Sequence, residues 1–506
     1  MSARFARGLQ RLHHSFGSLF ALLLALWFSS GAIMTFADFP SYSEAERLAS
    51  APRLMHDARL ELAPALKQWL QRGALSRGAR PRMAMLEGLP TWVLSDENGV
   101  RRAWRSVPPF DVLELDEARA RAELARRSRK RIAAVERVEQ PDQWSVGLAQ
   151  PGALPFYRAW LADDGSEASR GEQLYLSART GEIVQDTVQS ERALAWLGAI
   201  PHWIYPTLLR RERALWRTAV LTLSALGLVV SLSGTCAGLV LWQRRRKKHI
   251  RRQVHDPILR WHHRLGLGFG LLASSWLFSG ALSLEPFHWT GDEGPSVQEQ
   301  AAVHGGAFEP GSWELSRALA SCERELEVRE LELASLRGRA YAVCYDQTGD
   351  TRLIDLSDPS LTPRRALSRA VFAELARELT QRGLSASVSE QHRYDSYYYP
   401  THRNPRATLP YLRVDLRDAD ETSLYLDPSR ARVLLRTTRR GRIERWLYHG
   451  LHSFDLPWLY RHTALWRTLI IASMIVGATL SLLGLAMSVR KMRRRQQRGA
   501  RAERAR

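Results

Sequence analysis

The chain has 506 residues, 45% of them hydrophobic, and its 73 Lys+Arg against 52 Asp+Glu give a formal net charge of +21. The hydrophobic fraction excludes a disordered polyelectrolyte, and three cysteines are too few for a scaffold built on disulfides. The slightly negative mean hydropathy excludes a protein made only of membrane helices. A few membrane spans beside polar domains remain compatible with this composition.

Four hydrophobic runs contain no charged residue, and they cover residues 16–37, 218–242, 265–284 and 468–489. A bilayer core about 30 Å thick is crossed by roughly 20 helical residues, so each run is long enough to span it. We therefore predict four transmembrane helices. The first run follows a short basic stretch, as a signal peptide does, but its length and the lack of a small-residue cleavage site favour a retained anchor.

The basic residues are concentrated beside these runs. Residues 1–15, 243–264 and 490–506 together carry nineteen of the net positive charges, and four crossings place all three stretches on one side of the membrane. Because positive loops mark the cytoplasmic side, we predict cytoplasmic termini and two large external segments. A nucleic-acid partner would require basic side chains spread over a folded surface, and this distribution argues against one.

The chain is a tandem duplication, because segments recur at a nearly constant offset. RLHHSFG at 11–17 matches RWHHRLG at 260–266 at an offset of 249, and ALWRT at 214–218 recurs at 464–468 at an offset of 250. Further matching positions are Trp27 with Trp276, Ser30 with Ser279, Gly31 with Gly280, Gly88 with Gly338, Asp96 with Asp346 and Gly99 with Gly349. Each half therefore consists of a span, an external domain and a second span.

The predicted fold class is a membrane α-helical protein of four transmembrane helices in two tandem repeats, with two external α+β domains. Its parts are 1–37 (N-terminus and first span), 38–192 (first external domain), 193–242 (interfacial segment and second span), 243–264 (basic loop), 265–284 (third span), 285–441 (second external domain), 442–489 (interfacial segment and fourth span) and 490–506 (basic tail).

The external domains have the pattern of small α+β modules. In the first, strands at 92–94 and 102–104 flank the hairpin signal Asp-Glu-Asn-Gly, and a helix near 115–132 precedes strands near 156–162 and 173–185. The second repeats this order, with strands near 341–345 and 351–356, a helix near 364–382, and strands near 409–416 and 422–436. Neither contains a catalytic triad or a phosphate-binding loop, so catalytic residues are not assigned.

Histidines at the ends of the spans are the candidate functional residues. His13 and His262 lie at the start of the first and third spans, and His202 and His452 each lie sixteen residues before the second and fourth. Neutral imidazole binds haem iron, and bis-histidine coordination suits electron transfer. Equivalent histidines from the two halves can meet between facing helices, which predicts one haem near each membrane face.

Other readings of these histidines stay open. Histidines that flank spans can serve only as headgroup anchors, and His449 with His452 could bind zinc, although no HExxH motif or cysteine pair supports this. The secondary haem-ligand candidates are His14, His263, His449 and His288.

Several stretches resemble the PepSY-associated transmembrane helix family. They are RWHHRLGLGFG at 260–270 with WLFSGALS at 276–283, GLHSFDLPWLY at 450–460 with Leu465-Trp466, and the external stretches YDSYYY at 394–399, LPYLRV at 409–414 and LYLDP at 424–428. The resemblance covers nearly the whole chain and is strongest in the C-terminal half. It implies a bacterial inner-membrane protein with two periplasmic PepSY-like domains, similar to siderophore-iron reductases that carry two b-type haems.

The resemblance also implies the site residues and partners. The family's span histidine, four residues before a glycine, maps onto His13 and His262, and its second histidine maps onto His452 and, through the repeat, onto His202. The expected partners are a ferric siderophore or other ferric chelate in the periplasm and a separate electron donor, either a quinone or a cytoplasmic reductase. No flavin or NAD(P) site is expected.

Two functions are compatible with these observations. The first is a di-haem electron-transfer protein, and hence a transmembrane ferric-chelate reductase. The second is a non-redox scaffold or regulator whose PepSY domains bind a periplasmic peptide, protease or transport partner. The aromatic stretch 397–399, with His392 and His402, either helps to hold the chelate or packs in the domain core. Cys322 and Cys344 both lie outside, where a disulfide can form.

Overall fold

The structure, a computed structural model, describes residues 3–55, 60–95, 100–128, 130–148, 152–162, 165, 170–247, 256–290, 294–305, 308–401 and 407–504. The chain divides into two compact units. The helical unit comprises Met1–Phe39, Glu191–Thr290 and Ile443–Arg506, and the sheet unit comprises Pro40–Ser190 and Gly291–Arg442. Each unit is therefore built from both halves of the duplication.

The α-helices of the described residues are α1 Ala3–Ile33, α2 Glu44–Ser50, α3 Pro64–Gln71, α4 Glu117–Arg127, α5 Gln189–Leu197, α6 Ala199–Trp203, α7 Thr207–Arg211, α8 Arg213–Lys247, α9 Pro257–Leu282, α10 Val297–Val303, α11 Leu315–Glu323, α12 Arg369–Gln381, α13 Arg439–Arg445, α14 Leu451–Ser453, α15 Pro457–Tyr460 and α16 Thr463–Arg504.

The strands are β1 Arg82–Leu86, β2 Leu89–Ser95, β3 Arg101–Arg105, β4 Ile132–Val138, β5 Phe156–Leu161, β6 Gln173–Ser177, β7 Ile183–Thr187, β8 Glu330–Leu336, β9 Arg339–Tyr345, β10 Thr351–Asp355, β11 Ala386–Gln391, β12 Tyr411–Leu416, β13 Ser423–Asp427 and β14 Arg432–Thr437.

Four helices of the helical unit are long and apolar enough to cross a membrane, as predicted. The qualifying segments are Arg7–Ile33 of α1, Arg213–Arg244 of α8, Pro257–Leu282 of α9 and Thr463–Arg494 of α16. Helices α1 and α9 each pack against α8 and α16, so the four helices form a closed ring in which α1 and α9 are opposite members. The start of α9 is fixed by Pro257 at its first position and by the Asp256 side chain, which accepts a hydrogen bond from the Ile258 amide.

The sheet unit contains one sheet that joins the two halves. This six-stranded sheet has the order β10-β9-β8-β1-β2-β3, and β1 of the first half pairs antiparallel with β8 of the second. Two four-stranded antiparallel sheets, β4-β5-β6-β7 and β11-β12-β13-β14, belong to one half each. The hydrophobic core on the shared sheet includes Met83 and Trp92 of the first half and Leu331 and Ala342 of the second. The parts of the sheet unit that come from the two halves therefore share a core.

The inner hairpins of the shared sheet have the same tight turn. Glu87 and Gly88 between β1 and β2 have φ angles of 52° and 75°, and Arg337 and Gly338 between β8 and β9 have φ angles of 53° and 69°. Two successive residues with positive φ match the twist of a two-residue hairpin, and glycine adopts the second position without strain. The repeated glycine pair in the sequence thus marks a repeated turn.

Buried ion pairs join β1 to β8 along the seam between the halves. Arg82 binds both Glu182 and Glu330, with a distance of 2.8 Å to the Glu330 carboxylate, and Arg80 binds Glu332. Burial alone would raise the pKa of Glu182, but Arg82 and then Arg101 lower it to about 2. The Arg82–Glu330 and Arg80–Glu332 pairs therefore link the two halves, while Arg82–Glu182 is an ion pair within the first half.

Each strand that the sequence predicts is present in the structure. Trp92 of β2 pairs with Trp104 of β3, while the turn at 96–99, including Asp96 and Gly99, lies outside the described residues. The helix expected near 115–132 extends from Glu117 to Arg127, and Ile132, the last residue of the expected range, is the first residue of β4. Strands β1, β4, β8 and β11 were not predicted. Cys322 of α11 and Cys344 of β9 form a disulfide.

Candidate haem-binding histidine pairs

His13 and His262 meet between the two opposite helices of the ring. They lie on α1 and α9, and the centroids of their imidazole rings are 6.1 Å apart. Nδ1 of His13 lies 3.0 Å from the carbonyl oxygen of Val230 on α8. Nδ1 of His262 lies 3.1 Å from the carbonyl oxygen of Leu480 on α16. We call these two residues the long-helix pair.

His202 and His452 form a second pair with the same ring separation. They lie on the short helices α6 and α14, with ring centroids 6.1 Å apart. Nδ1 of His202 lies 3.1 Å from the Trp27 carbonyl oxygen on α1, and Nδ1 of His452 lies 3.2 Å from the Trp276 carbonyl oxygen on α9. We call these two residues the short-helix pair.

The bonding pattern of each pair follows the duplication. Val230 and Leu480 occupy equivalent positions, as do Trp27 and Trp276. In all four histidines the Nδ1 atom is therefore oriented by a helix carbonyl, and Nε2 is the ring atom that would bind a metal. Two copies of one local structure thus supply the two ligands of each pair.

The short helices that carry His202 and His452 are fixed by repeated contacts. Each is followed by a residue with left-handed backbone, Ile204 with φ 51° or Phe454 with φ 50°, which is uncommon for side chains of this kind. The indole of Trp216 at the start of α8 donates to the Trp203 carbonyl at 3.0 Å. The equivalent indole of Trp466 donates to the Ser453 carbonyl at 2.8 Å. These bonds hold the histidine segments against the spans.

Glycines of the neighbouring spans provide the space for all four rings. A Cβ atom at Gly234 would lie 2.5 Å from Cε1 of His13, and one at Gly484 would lie 3.3 Å from Cε1 of His262. The corresponding distances are 3.1 Å from Gly31 to His202 and 3.2 Å from Gly280 to His452. Since real Cβ atoms rarely approach this closely, the ring positions depend on glycine.

The spacing of each pair fits one metal ion with two axial imidazoles. With a metal–nitrogen bond of about 2.0 Å and about 1.1 Å from nitrogen to ring centre, two opposed imidazoles have centroids roughly 6 Å apart. Both pairs measure 6.1 Å. Among the described residues no group of three or more His, Cys, Asp or Glu side chains is placed to bind a metal. The separation of the two rings in each pair therefore fits two imidazole ligands of one metal ion.

The two pairs lie at opposite ends of the ring of helices. On α1, eighteen residues separate His13 from Gly31, the residue that faces His202. At about 1.5 Å per residue this is about 27 Å along the helix axis. That separation is close to the thickness of a bilayer core, about 30 Å.

The secondary candidates do not form a further pair. His14 is exposed on α1, with its ring centroid 6.1 Å from that of His13. His263 is half-buried on α9 beside Gly238. His449 stacks on Tyr448 at 4.5 Å, and His288 is exposed. The structure thus singles out one member of each adjacent His-His dipeptide.

The aromatic stretch 397–399 contributes to a domain core. Tyr398 is 5% exposed and packs against Tyr411 and Tyr425, and Tyr399 is also buried. The Tyr425 hydroxyl donates to Asp395 at 2.7 Å. His392 is exposed, and His402 lies outside the described residues. These contacts are those of core packing.

Sequence reasoning found the four histidines but not the residues that orient them. The backbone carbonyls that accept from the histidines cannot be read from side-chain identity. The glycines and tryptophans, however, recur in register with the histidines, and this recurrence was the available signal. Comparison with protein-family models, with curated proteins and with solved structures finds no match to this chain.

Proposed function

We propose that this chain is an inner-membrane electron-transfer protein that holds one haem b at each histidine pair and reduces a ferric chelate in the periplasm. The observation that carries the proposal is the repeated pair geometry: equivalent histidines, 6.1 Å between ring centroids, and Nδ1 bound to a helix carbonyl in every case. A packing or anchoring role would not require both pairs to adopt this arrangement.

In this proposal the protein holds and orients the cofactor. A haem held by the two histidines of a pair would supply one-electron chemistry. The carbonyl partners keep each imidazole in the tautomer with Nε2 toward the metal. Gly31, Gly234, Gly280 and Gly484 let the rings lie close to the helix backbones. No side chain is required to transfer a proton.

The proposed orientation places the basic stretches in the cytoplasm and the sheet unit in the periplasm. The disulfide between Cys322 and Cys344 supports an oxidising compartment for the sheet unit. One electron from a quinol or a cytoplasmic reductant would then enter near the long-helix pair. One electron would leave near the short-helix pair and reduce Fe³⁺ of the chelate to Fe²⁺. The sequence resemblance to PepSY-containing siderophore-iron reductases is consistent with this direction.

The test is the absorption spectrum of the full-length protein purified in detergent. We expect a Soret band and low-spin α and β bands, with one haem per histidine pair by haemochrome assay. His262→Ala and His452→Ala should each remove about half of the haem, while His14→Ala, at an exposed neighbour, should retain it. After reduction, adding a ferric chelate should reoxidise the protein.

A correctly folded but colourless protein would contradict the proposal and favour the scaffold function, in which the PepSY-like domains bind a peptide, protease or transport partner. Equal haem loss in His14→Ala and His262→Ala would contradict the ligand assignment.

A further inference from the structure

We infer that Ser30 and Ser279 raise the reduction potential at the short-helix pair above that at the long-helix pair, and so set the direction of electron flow. The inference rests on the proposed function and adds a role for two residues that do not bind metal. It starts from a difference in hydrogen bonding between the two pairs.

Each histidine of the short-helix pair has a buried serine beside Nδ1. The Ser30 hydroxyl lies 3.3 Å from Nδ1 of His202 and donates to the Trp27 carbonyl at 3.1 Å. The Ser279 hydroxyl lies 3.1 Å from Nδ1 of His452 and donates to the Trp276 carbonyl at 3.2 Å. Both serines are almost fully buried, at 1% and 0% exposure.

The long-helix pair lacks this arrangement in the described part of the chain. Nδ1 of His13 and of His262 is bound to a carbonyl alone. Ser233 donates to the Val230 carbonyl at 2.9 Å, but its hydroxyl does not bond the histidine. The equivalent position in the second half is Leu483, so the Leu480 carbonyl has no such partner there.

The difference changes how strongly each imidazole donates its Nδ1 proton. A strong bond from Nδ1–H to a carbonyl moves electron density onto the ring, favours the ferric state and lowers the reduction potential. At the short-helix pair the same proton is shared between a carbonyl and a hydroxyl. The Trp27 and Trp276 carbonyls also accept the serine protons, as the Val230 carbonyl beside His13 does from Ser233, so the difference between the pairs lies in the hydroxyl that shares the Nδ1 proton. The imidazoles of His202 and His452 are therefore less electron-rich, and the potential there is higher.

The consequence is a downhill path through the membrane. One electron from a quinol or a cytoplasmic reductant enters at the pair of lower potential, formed by His13 and His262. It passes to the pair of higher potential, formed by His202 and His452, and one Fe³⁺ of a periplasmic chelate becomes Fe²⁺.

The experiment is a spectroelectrochemical titration of the full-length protein in detergent. Wild type should show two midpoint potentials, and His452→Ala should remove the higher one. Ser30→Ala with Ser279→Ala should lower the higher potential and leave the other unchanged, with low-spin spectra retained. The double variant Ser30→Thr with Ser279→Thr keeps both hydroxyls, and its higher midpoint potential should equal that of wild type. Ser274→Ala is the matched control, because Ser274 is a buried serine of α9 that bonds Gly270 and Ser231.

Unchanged or raised potentials in the double alanine variant, with haem retained, would overturn this inference but not the proposed function. If His452→Ala removed the lower midpoint potential instead of the higher one, the assigned direction of electron flow would be wrong. Absence of haem in wild type would overturn the proposed function itself.

Discussion

The two halves of the chain retain the same residues in the helical unit but carry opposite charges where they meet in the sheet unit. The histidines, their glycines and the anchoring tryptophans are identical at equivalent positions. At the β1–β8 seam, Arg80 and Arg82 of the first half correspond to Glu330 and Glu332 of the second. Glu182 likewise corresponds to Arg432.

The difference follows from what each place requires. The proposed bis-histidine site, shared by the two halves, would need the same donor from each. A strand that pairs with its own repeat would set like charges opposite each other, which destabilises a sheet. Opposite charges remove this repulsion, and they also make β1 specific for β8. Identity between the halves thus marks the site, and charge reversal marks the seam.

The largest expected effect comes from breaking the seam. Arg82→Met keeps an unbranched side chain but removes the guanidinium that binds both Glu182 and Glu330, which also bind Arg101 and Arg47, and should cost about 3–5 kcal/mol of unfolding free energy. The measurement is thermal unfolding of the full-length protein in detergent by tryptophan fluorescence. Arg102→Met, on the exposed side of β3, should change the stability little. Equal losses in the two variants would show that the seam pairs contribute nothing specific.

The second prediction concerns the pH dependence of stability that arises from Glu182, the first-half partner of Arg82. The pKa of Glu182 is lowered from 4.5 to about 2, so its ionised form contributes about 3 kcal/mol above pH 4.5. Because the folded pKa is the lower one, this contribution is lost as the pH falls from about 4.5 toward 2.

Unfolding curves measured between pH 7 and pH 2 check this expectation. Glu182→Gln should be less stable than wild type at neutral pH and should lose less stability in the acid window. Parallel pH dependence of the two proteins would contradict the role of Glu182.

The smallest expected effect comes from the glycines beside the long-helix pair, where the two halves leave different amounts of space for the histidine ring. Gly234→Ala places its methyl group 2.5 Å from the His13 ring, whereas Gly484→Ala places it 3.3 Å from the His262 ring. Overpacking of the first kind costs about 1–3 kcal/mol, and the second should cost less. Haem retention on titration with a competing haem-binding protein would measure the difference. Gly268→Ala on α9, where a Cβ meets no described atom within 4 Å, is the control.

Local sequence patterns were sufficient for the elements whose signals are local. The uncharged runs identify the four long helices, and the repeat identifies the histidines together with Gly31 and Gly280. The hairpin that pairs Trp92 with Trp104 was predicted from the two short strands that flank the Asp-Glu-Asn-Gly turn signal. These features depend on periodicity and spacing within one segment.

The features that were missed depend on distant parts of the chain. Strand β1 does not alternate, since four of its five residues are buried, and its partner β8 belongs to the other half. β11 is rich in polar residues and pairs on only one side. The charge reversal between Arg82 and Glu332 was present in the repeat and could have indicated the seam. The carbonyl partners of the histidines are backbone atoms, which no side-chain pattern reveals.

The shared sheet also pairs strands that are synthesised at different times. Arg82 and Glu330 are 248 residues apart in the chain, and synthesis at about 5–20 residues per second separates their appearance by about 12–50 s. During that interval β1 lacks its neighbour β8 and has one open edge, and Arg82 has Glu182 of the first half as its partner. The six-stranded sheet is therefore completed only after the second half of the chain has been synthesised.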